Sequence, residues 1–446
     1  MSTSALIANH NVSEASPRIC RTCDDRLIVL GVVRLERHGM LSIRCNRKVQ
    51  QKNLPHIRDF NAGGILILTV TRSDCESWMS RIAKLVIIEQ KLIVLSSKEL
   101  VSRAIAGLSV PRVPVGPLAV HYCAKVSGIS VRDYTSSARK LAESVIRYAE
   151  RFQPDAVWVS ADTWVSAEAM GARVGAVDEN QPWAGIGEPL VRTRADVDRI
   201  PPPDPGRHGR YPLMLEALGR VVDAIGRDFY IVACFDQYPF SLAAALLGIE
   251  NLMIKLNQEP ELVEAVMERA LEYGLAYGRA MADCGADMLS GGDSPAGLVG
   301  PHAYAGIPWS FEKRLISGLK SRTGKPVSLH ICGRAGPLLG QMAHTGADVL
   351  ELDYQVDMAE ACKILGAKVA IWGNIDPVAV LAHGTRADVR DAAATAIAAV
   401  RAGGQNRFVL SSGCTLAMET PAENLEAMFA VARESHVSSA SFGTPG

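Results

Sequence analysis

The stretch PVSLHICGRAGPLLGQMAHTGADVLELDYQVD, residues 326–357, predicts a strand, a helix and a second strand. Its two ends, Pro326–Gly333 and Ala347–Tyr354, are apolar and bounded by Gly and Asp, as buried strands are. The helical pattern Pro337–Thr345 lies between them. A strand, a helix and a second strand in this order are typical of two parallel strands joined by a helix.

The same alternation runs through most of the chain after Ser97. Six further candidate strands are Val113–His121, Ala156–Asp162, Phe229–Phe235, Ala286–Asp293, Val369–Ile375 and Phe408–Cys414. Helical patterns occur at Pro260–Cys284, Ser310–Thr323, Met358–Leu365, Arg386–Ala402 and Pro421–Glu434. Eight strands that alternate with helices predict an α/β fold, a (β/α)8 TIM barrel. A doubly wound sheet would alternate in the same way, but no GxGxxG motif follows the first strand.

Residues 1–96 differ from the rest of the chain in charge and in pattern. They contain 14 Lys and Arg against 8 Asp and Glu, whereas the whole chain contains 47 of each kind, so residues 97–446 are acidic. We therefore expect three parts. They are an irregular N-terminal extension (1–96) that is poorly ordered or an over-extended start, a barrel (97–436) and a flexible tail (437–446).

The composition excludes several classes of protein. The net charge is zero, which gives no support for nucleic-acid binding. No apolar run reaches the roughly 20 residues of a membrane span. The first residues lack the basic and apolar regions of a secretory signal. The ten cysteines do not indicate a disulfide framework in a long α/β chain, so we expect a cytoplasmic protein.

The ends of the predicted strands are polar. In a TIM barrel the active site lies at the face where the strands end. The polar residues at these ends are His121, Asp162, Asp236, Asp293, His330, Cys332, Asp353, Asn374, Asp376 and Cys414. We expect the Pro-rich segment 201–212 to form a loop over this face.

His330 and Cys332 are two residues apart on a predicted strand, so their side chains point to the same face. Imidazole nitrogen and thiolate both bind zinc. Cys414 ends strand eight and adds a second thiolate, and Asp353, which ends strand six, is a candidate fourth ligand. The alternative is that the HxC pair occurs by chance and is packed in the core. Zinc with one exchangeable position would activate an incoming thiol, or act as a Lewis acid on an ether or alcohol oxygen.

Four motifs carry a resemblance to a known family. They are GLSVPRVPV (107–115), GADVLELDYQVDMAEA (346–361), GNIDPVAVL (373–381) and TPAENLEAM (420–428). Through them the chain resembles the uroporphyrinogen decarboxylase superfamily, and within it the zinc-dependent corrinoid methyltransferases, such as methylcobamide:coenzyme M methyltransferase. The resemblance implies a TIM barrel. It also implies zinc on His330, Cys332 and Cys414, with Asp353 as the further partner of the metal and Glu351 as its rival.

The segment after the first predicted strand separates the two branches of the superfamily. Decarboxylases of the family carry an Arg-containing segment there, which grips the carboxylates of the porphyrinogen. This chain has His121–Lys125 in that place, with no arginine before Arg132. A tetrapyrrole with eight carboxylates needs more positive charge than this segment offers.

Other strand-end residues are candidates for the chemistry or for ligand binding. We expect Asp293 and Asp162 to be catalytic. An equally good explanation for Asp293 is that it caps the next helix. We expect Arg334, Asn374 and His121 to bind the cofactor or substrate, Arg334 through an anionic group such as a sulfonate or carboxylate. The alternatives are an exposed arginine, a loop-holding asparagine and a packed histidine.

These features predict a zinc-dependent methyltransferase that moves a methyl group between a corrinoid and a thiol or another small-molecule donor or acceptor. The corrinoid is expected on a separate partner protein, because the barrel uses nearly all residues after 97 and no DxHxxG-type motif is present. Two alternatives stay open. One is a metal-free decarboxylase of a tetrapyrrole or related polycarboxylate, and the other is a non-catalytic barrel that only binds a corrinoid partner. The direction of transfer and the identity of the donor and acceptor are open as well.

The N-terminal segment leads to a first prediction. A truncated protein that begins near Val94 is expected to remain soluble and fully active, because residues 1–96 match nothing in the family. Expression of that protein, followed by an activity assay against the full chain, tests this. Failure of the truncated protein to fold would count against the expectation.

Overall fold

The computed structural model describes residues 95–175 and 188–435, and beyond them the backbone of five short strands. Contacts divide the chain into two units, Met1–Val94 and Leu95–Gly446. The described strands of the first unit are β1 (Ser4–Leu6), β2 (Val29–Leu35), β3 (Leu41–Asn46) and β4 (Ile65–Val70). They form an antiparallel sheet of order β1-β3-β2-β4. The rest of the predicted extension and the predicted tail 437–446 lie outside the described residues.

The second unit is built on a parallel sheet of seven strands. Its strands are β5 (Ala156–Val159), β8 (Tyr230–Gln237), β9 (Met288–Gly292), β10 (Ser328–Ile331), β11 (Val349–Leu352), β12 (Ala370–Ile375) and β13 (Phe408–Ser412). Their order in the sheet is β13-β12-β11-β10-β9-β8-β5. Two short strands, β6 (Val174–Gly175) and β7 (Trp183–Ala184), pair antiparallel outside it. All residues of β5, β10, β11 and β13 are buried, as expected for parallel strands covered by helices.

The first predicted strand, Val113–His121, is instead a short extended segment. Leu410 N donates to Pro114 O and Gly116 N donates to Leu410 O, while Asp155 N donates to Val115 O at 2.7 Å. This closing segment (113–121) therefore bonds to the residues at both edges of the curled sheet, which is consistent with a TIM-like barrel. It cannot form a longer ladder because Pro114 and Pro117 have no N–H to donate. The chain then turns into a helix at Tyr122.

Helices follow the strands along the chain. They are α1 (Ser97–Ile105), α2 (Tyr122–Ser127), α3 (Val131–Ser136), α4 (Ala138–Phe152), α5 (Val165–Ala169), α6 (Arg194–Arg199), α7 (Tyr211–Ile225), α8 (Pro239–Leu247), α9 (Ile249–Gln258), α10 (Pro260–Asp283), α11 (Gly300–Gly306), α12 (Pro308–Thr323), α13 (Leu339–Met342), α14 (Met358–Leu365), α15 (Arg386–Ala402) and α16 (Ala422–Glu434). The predicted helices at α10, α14, α15 and α16 are confirmed within one residue at each end. The predicted helix Pro337–Thr345 is shorter, a 3₁₀ turn at Gly336–Leu338 followed by α13.

The barrel interior is filled with side chains. Trp158 and Trp372 pack edge to face with ring centroids 4.9 Å apart, and Trp372 Nε1 donates to Gly116 O at 2.8 Å. Both rings are buried. Edge-to-face pairs of this kind contribute about 0.5–1.5 kcal/mol beyond the burial of their area. The pair therefore ties β5 and β12 to the closing segment.

Among the described helices, none is by its own length and apolar content able to cross a membrane. The consecutive helices α8 and α9 meet that requirement only when they are taken together, and they meet at 107°.

A single buried carboxylate holds the closing segment in place. Asp155 accepts hydrogen bonds from Arg112 Nη1 and Nη2, both at 2.7 Å, from Ser97 Oγ at 2.7 Å and from Val115 N at 2.9 Å. The Asp155 side chain is 1% exposed, and that of Arg112 is 26% exposed. Bidentate pairs of this kind combine charge with fixed geometry.

Replacing Asp155 by Asn is expected to destabilise the protein by about 3 kcal/mol, because it leaves the Arg112 guanidinium without a charge partner in a mostly buried site. Equilibrium urea unfolding measures the change. The matched control is Glu143→Gln, which breaks the exposed pair with Arg139 and should cost less than about 0.5 kcal/mol. Equal effects of the two substitutions would contradict the role of Asp155.

Candidate metal centre

The ends of β10 and β13 bring three soft side chains together. His330 Nε2 lies 3.0 Å from Cys332 Sγ, and Cys332 Sγ lies 3.9 Å from Cys414 Sγ. The three ligand atoms all lie within 4.8 Å of one another. Within residues 95–175 and 188–435 this is the one cluster of His, Cys, Asp or Glu side chains arranged to hold a metal ion. The predicted HxC motif and Cys414 therefore meet at one point.

The other ring nitrogen sets the orientation of His330. His330 and Glu351 are opposite each other in the β10–β11 ladder, and His330 Nδ1 donates to the Glu351 carbonyl oxygen at 2.9 Å. A carbonyl oxygen only accepts, so Nδ1 carries the hydrogen. The lone pair of Nε2 is then the one available to a metal, as in many histidine metal sites.

The charges of the three groups depend on one another. The hydrogen bond from Cys414 lowers the pKa of Cys332 to about 4, and the charge of His330 acts in the same direction. The same hydrogen bond raises the pKa of Cys414 to about 12. Burial disfavours the protonated form of His330, but the Cys332 thiolate outweighs it and raises the His330 pKa well above its usual value. Metal binding would release the protons that this cluster shares.

The donor set and its spacing fit zinc. Zinc is bound tetrahedrally by thiolate and imidazole, and Zn–S bonds of about 2.3 Å separate two thiolates by roughly 3.8 Å. The distance of 3.9 Å between Cys332 Sγ and Cys414 Sγ agrees with this value. The distance of 3.0 Å between His330 Nε2 and Cys332 Sγ is that of a hydrogen bond, whose proton a metal would replace.

Neither candidate for the fourth position belongs to this cluster. Asp353 is buried, and its Oδ1 accepts from Gln355 N at 2.9 Å. Glu351 is buried as well, and its Oε1 accepts from the hydroxyls of Ser290 and Ser328. Their local hydrogen bonds hold both carboxylates, so the identity of a fourth ligand stays a prediction.

Asp162 lies in a salt bridge that local sequence does not reveal. Arg210 Nη1 donates to Asp162 Oδ2 at 2.5 Å, and Arg210 Nη2 donates to Oδ1 at 3.1 Å. Trp164 N donates to Oδ1 as well, and Arg210 Nε reaches Glu168. The Asp162 side chain is fully covered. Both of its oxygens accept hydrogen bonds, so a catalytic role for Asp162 stays a prediction that would require Arg210 to move.

His121 and Asp236 lie on either side of β5, His121 after the segment 113–121 and Asp236 near the end of β8. His121 Nε2 donates to Ala161 O at 2.7 Å, and burial lowers its pKa, so the ring is neutral near pH 7. Asp236 has a φ of 72° and accepts from Ser166 N at 2.8 Å. Burial raises the pKa of Asp236 well above its usual value. Binding of a cofactor by His121 stays a prediction.

Asp293 is directed at the helix layer. Its Oδ1 accepts from Ser241 N at 2.7 Å and from Ser241 Oγ at 2.8 Å, in the first turn of α8. The other oxygen, Oδ2, is buried and has no hydrogen-bond partner among the described residues, and the same holds for Oε1 of the buried Glu312, whose Oε2 accepts from the Tyr304 hydroxyl. Burial raises the pKa of Asp293 to about 7. The Asp293 side chain therefore bonds the first turn of α8 and makes no capping hydrogen bond to the 3₁₀ turn that follows it. The alternative of capping the next helix is not observed, and the catalytic role stays a prediction.

Arg334 and Asn374 have different surroundings. Arg334 is exposed two residues after Cys332. Asn374 Nδ2 donates to Asp353 O at 3.1 Å and to Val356 O at 2.9 Å, so it holds the loop that follows β11. Asp376 accepts from two backbone amides of its own loop. The geometry leaves Arg334 available to a ligand and uses Asn374 within the fold.

Three residues near the strand ends were missed by sequence reasoning. Arg210 lies within the Pro-rich segment, 48 residues from its partner Asp162, and Glu312 lies inside a helix. Spacing along the chain carries no signal for either contact. Ser294 donates its hydroxyl to Cys332 Sγ at 3.1 Å, and its place directly after β9 was the available signal.

Comparison with known proteins identifies the family. Residues 96–435 match the family described as Uroporphyrinogen decarboxylase (URO-D). The chain belongs to the uroporphyrinogen decarboxylase family. This match confirms the predicted superfamily. It does not decide whether the chain belongs to the methyltransferase branch.

Relatives within the uroporphyrinogen decarboxylase family cover most of the chain. A uroporphyrinogen decarboxylase of Prochlorococcus marinus (strain MIT 9313) is 29% identical over 75% of this chain and 95% of its own length. One from Synechococcus sp. (strain CC9902) is 31% identical over 63% of this chain and 78% of its own length. A methyltransferase from Methanosarcina mazei has a similar structure, with a TM-score of 0.69 and 24% identity, covering 76% of this chain and 99% of that one. This last likeness shows the fold alone.

The contribution of the Arg210–Asp162 salt bridge to stability can be tested by substitution. Replacing Arg210 by Met is expected to destabilise the protein by about 3 kcal/mol or more, because the buried Asp162 carboxylate loses its charge partner. The control on the same helix is Arg220→Met, which removes the exposed pair with Glu216 and should cost less than about 0.5 kcal/mol. Thermal or urea unfolding of both variants gives the comparison. An Arg210 variant as stable as the control would refute the account.

Proposed function

We propose that this protein is a zinc-dependent methyltransferase that moves a methyl group between a corrinoid, carried by a separate protein, and a thiol or another small methyl donor or acceptor. The observation that carries the proposal is the convergence of His330, Cys332 and Cys414 at one point of the barrel rim. Two thiolates and one imidazole are a donor set that selects zinc over magnesium or calcium.

The residues of the chain have distinct parts in this function. His330, Cys332 and Cys414 would hold the metal, with the His330 ring oriented by the Glu351 carbonyl. Zinc bound there would lower the pKa of an incoming thiol and so keep it as a nucleophilic thiolate near neutral pH. Three protein ligands leave a fourth position for that thiol, as in other catalytic zinc sites.

Arg334 would bind an anionic group on the small molecule. Its guanidinium is exposed and lies two residues from a metal ligand, and no hydrogen bond within the described part of the chain engages it. Arginine binds carboxylate and sulfonate groups through paired N–H donors. The acceptor or donor is therefore expected to carry one negative group in addition to its reactive atom.

The small number of unpaired cations at the rim argues against a polycarboxylate substrate. Five carboxyl groups follow or end strands of the sheet, namely Asp162, Asp236, Asp293, Asp353 and Asp376, and burial raises the pKa of Asp236 and Asp293. The Arg210 guanidinium is already paired with the carboxylates of Asp162 and Glu168. A tetrapyrrole with eight carboxylates would meet few unpaired cations here. The alternative of a metal-free decarboxylase is nevertheless supported by the family match and by the names of the curated relatives.

Metal content tests the proposal most directly. The purified full chain is expected to bind one zinc ion, and Cys414→Ser should weaken zinc binding by more than the roughly 10–100-fold that loss of an outer partner costs. Cys284→Ser is the control, because Cys284 lies at the end of α10 and outside the cluster. Elemental analysis and titration with a zinc chelator measure stoichiometry and affinity. A chain that binds no zinc would refute the proposal and favour the decarboxylase.

The reaction itself can be assayed in the same preparations. Free methylcobalamin and a panel of anionic thiols are expected to give methyl transfer with the zinc-loaded chain and none after chelation. Absorbance of the corrinoid follows the loss of its methyl group. Release of carbon dioxide from uroporphyrinogen, undiminished by chelation, would instead identify the decarboxylase.

A further inference from the structure

The turn that follows β9 grips the end of β10. Asp293 N donates to His330 O at 2.7 Å, and Ser294 Oγ donates to Cys332 Sγ at 3.1 Å. A Cβ on Gly297 would lie 2.9 Å from Cys332 O, so only glycine allows this approach without a shift. The turn therefore contacts both candidate metal ligands of β10 through backbone and side chain.

The two cysteines of the cluster are not equivalent. Cys332 Sγ accepts a hydrogen bond from the Ser294 hydroxyl in addition to its contacts with His330 and Cys414. Cys414 Sγ contacts Cys332 and His330, and within residues 95–175 and 188–435 no hydroxyl group donates to it. The two sulfur atoms therefore differ, because only Cys332 Sγ accepts a hydrogen bond from the Ser294 hydroxyl.

An O–H···S hydrogen bond stabilises the charged form of a thiolate and draws electron density from its sulfur. Such an outer partner also orients the ligand and adjusts its affinity for the metal. A thiolate that donates less electron density is also a weaker nucleophile. Cys332 would then stay a ligand while the substrate thiol takes up the methyl group.

We propose that Ser294 is a positioning residue of the metal centre, which holds the Cys332 thiolate in its metal-binding position and lowers the electron donation of that sulfur. The inference rests on the proposed zinc function and adds a residue to that site. Ser294 is exposed at the start of a 3₁₀ turn, so removal of its hydroxyl is expected to leave the fold intact.

Substitution of zinc by cobalt allows the electron donation of the Cys332 sulfur to be measured by absorbance. In the Co²⁺-loaded full chain, Ser294→Ala is expected to move the thiolate-to-cobalt charge-transfer band to lower energy, because the sulfur becomes a stronger donor. The same variant should bind zinc roughly tenfold more weakly, the lower end of the range for outer partners, because loss of the contact that positions Cys332 outweighs the stronger donation of its sulfur. Ser294→Thr keeps a hydroxyl and should restore both values. Ser321→Ala is the control, because the Ser321 hydroxyl bonds a helix carbonyl on an exposed surface.

The outcomes separate this inference from the function on which it rests. A wild-type chain that binds neither Co²⁺ nor Zn²⁺ would overturn the proposed function, and the inference with it. A wild-type chain that binds both, with an unchanged band and affinity in Ser294→Ala, would overturn the role of Ser294 alone. A shift of equal size in Ser321→Ala would also overturn it, since the effect would then not come from the hydroxyl beside Cys332.

Discussion

The buried Asp155 carboxylate and its four donors keep the curled sheet joined at its open edge. Through Arg112 and Val115 it fixes the closing segment between β5 and β13. The candidate metal centre depends on that curvature. In a flat sheet with strands about 4.8 Å apart, β10 and β13 would be separated by roughly 14 Å. The sulfur atoms of Cys332 and Cys414, at the ends of these strands, lie 3.9 Å apart, because both side chains point toward the axis of a curved sheet.

The rim divides into two chemically different regions. On β10 and β13, sulfur and imidazole groups share protons that a metal would displace. On β5, β8 and β9, the carboxylates of Asp162, Asp236 and Asp293 are buried and engaged by Arg210, Ser166 and Ser241. Buried carboxylates need such partners, because an unpaired charge away from water is costly. The first region is therefore arranged to bind a metal, whereas in the second region Asp236 Oδ1 and Asp293 Oδ2 are buried without a hydrogen-bond partner among the described residues.

Local patterns in the sequence were sufficient for much of this arrangement. The seven sheet strands, the long helices α10 and α15, and the pairing of His330 with Cys332 on one face all follow from short-range periodicity. The predicted strand Val113–His121 was too long. Its β-branched residues favour a strand, but Pro114 and Pro117 lack the N–H donors that a long strand ladder needs. Asp162 and Asp293 stand at strand ends as expected. Their partners lie 48 and 52 residues away, so no local pattern reveals that both are already bonded.

Residue type and spacing were enough to establish the α/β class, the family motifs and the soft character of the ligands, since these depend on neighbours within a few residues. The meeting of Cys414 with Cys332 across 82 residues depends on strand order and curvature. The same holds for the salt bridge of Arg210 and for the Ser294 hydroxyl beside Cys332. Such contacts arise only when distant segments pack, because side-chain distances across a barrel are set by the closed sheet and not by separation along the chain.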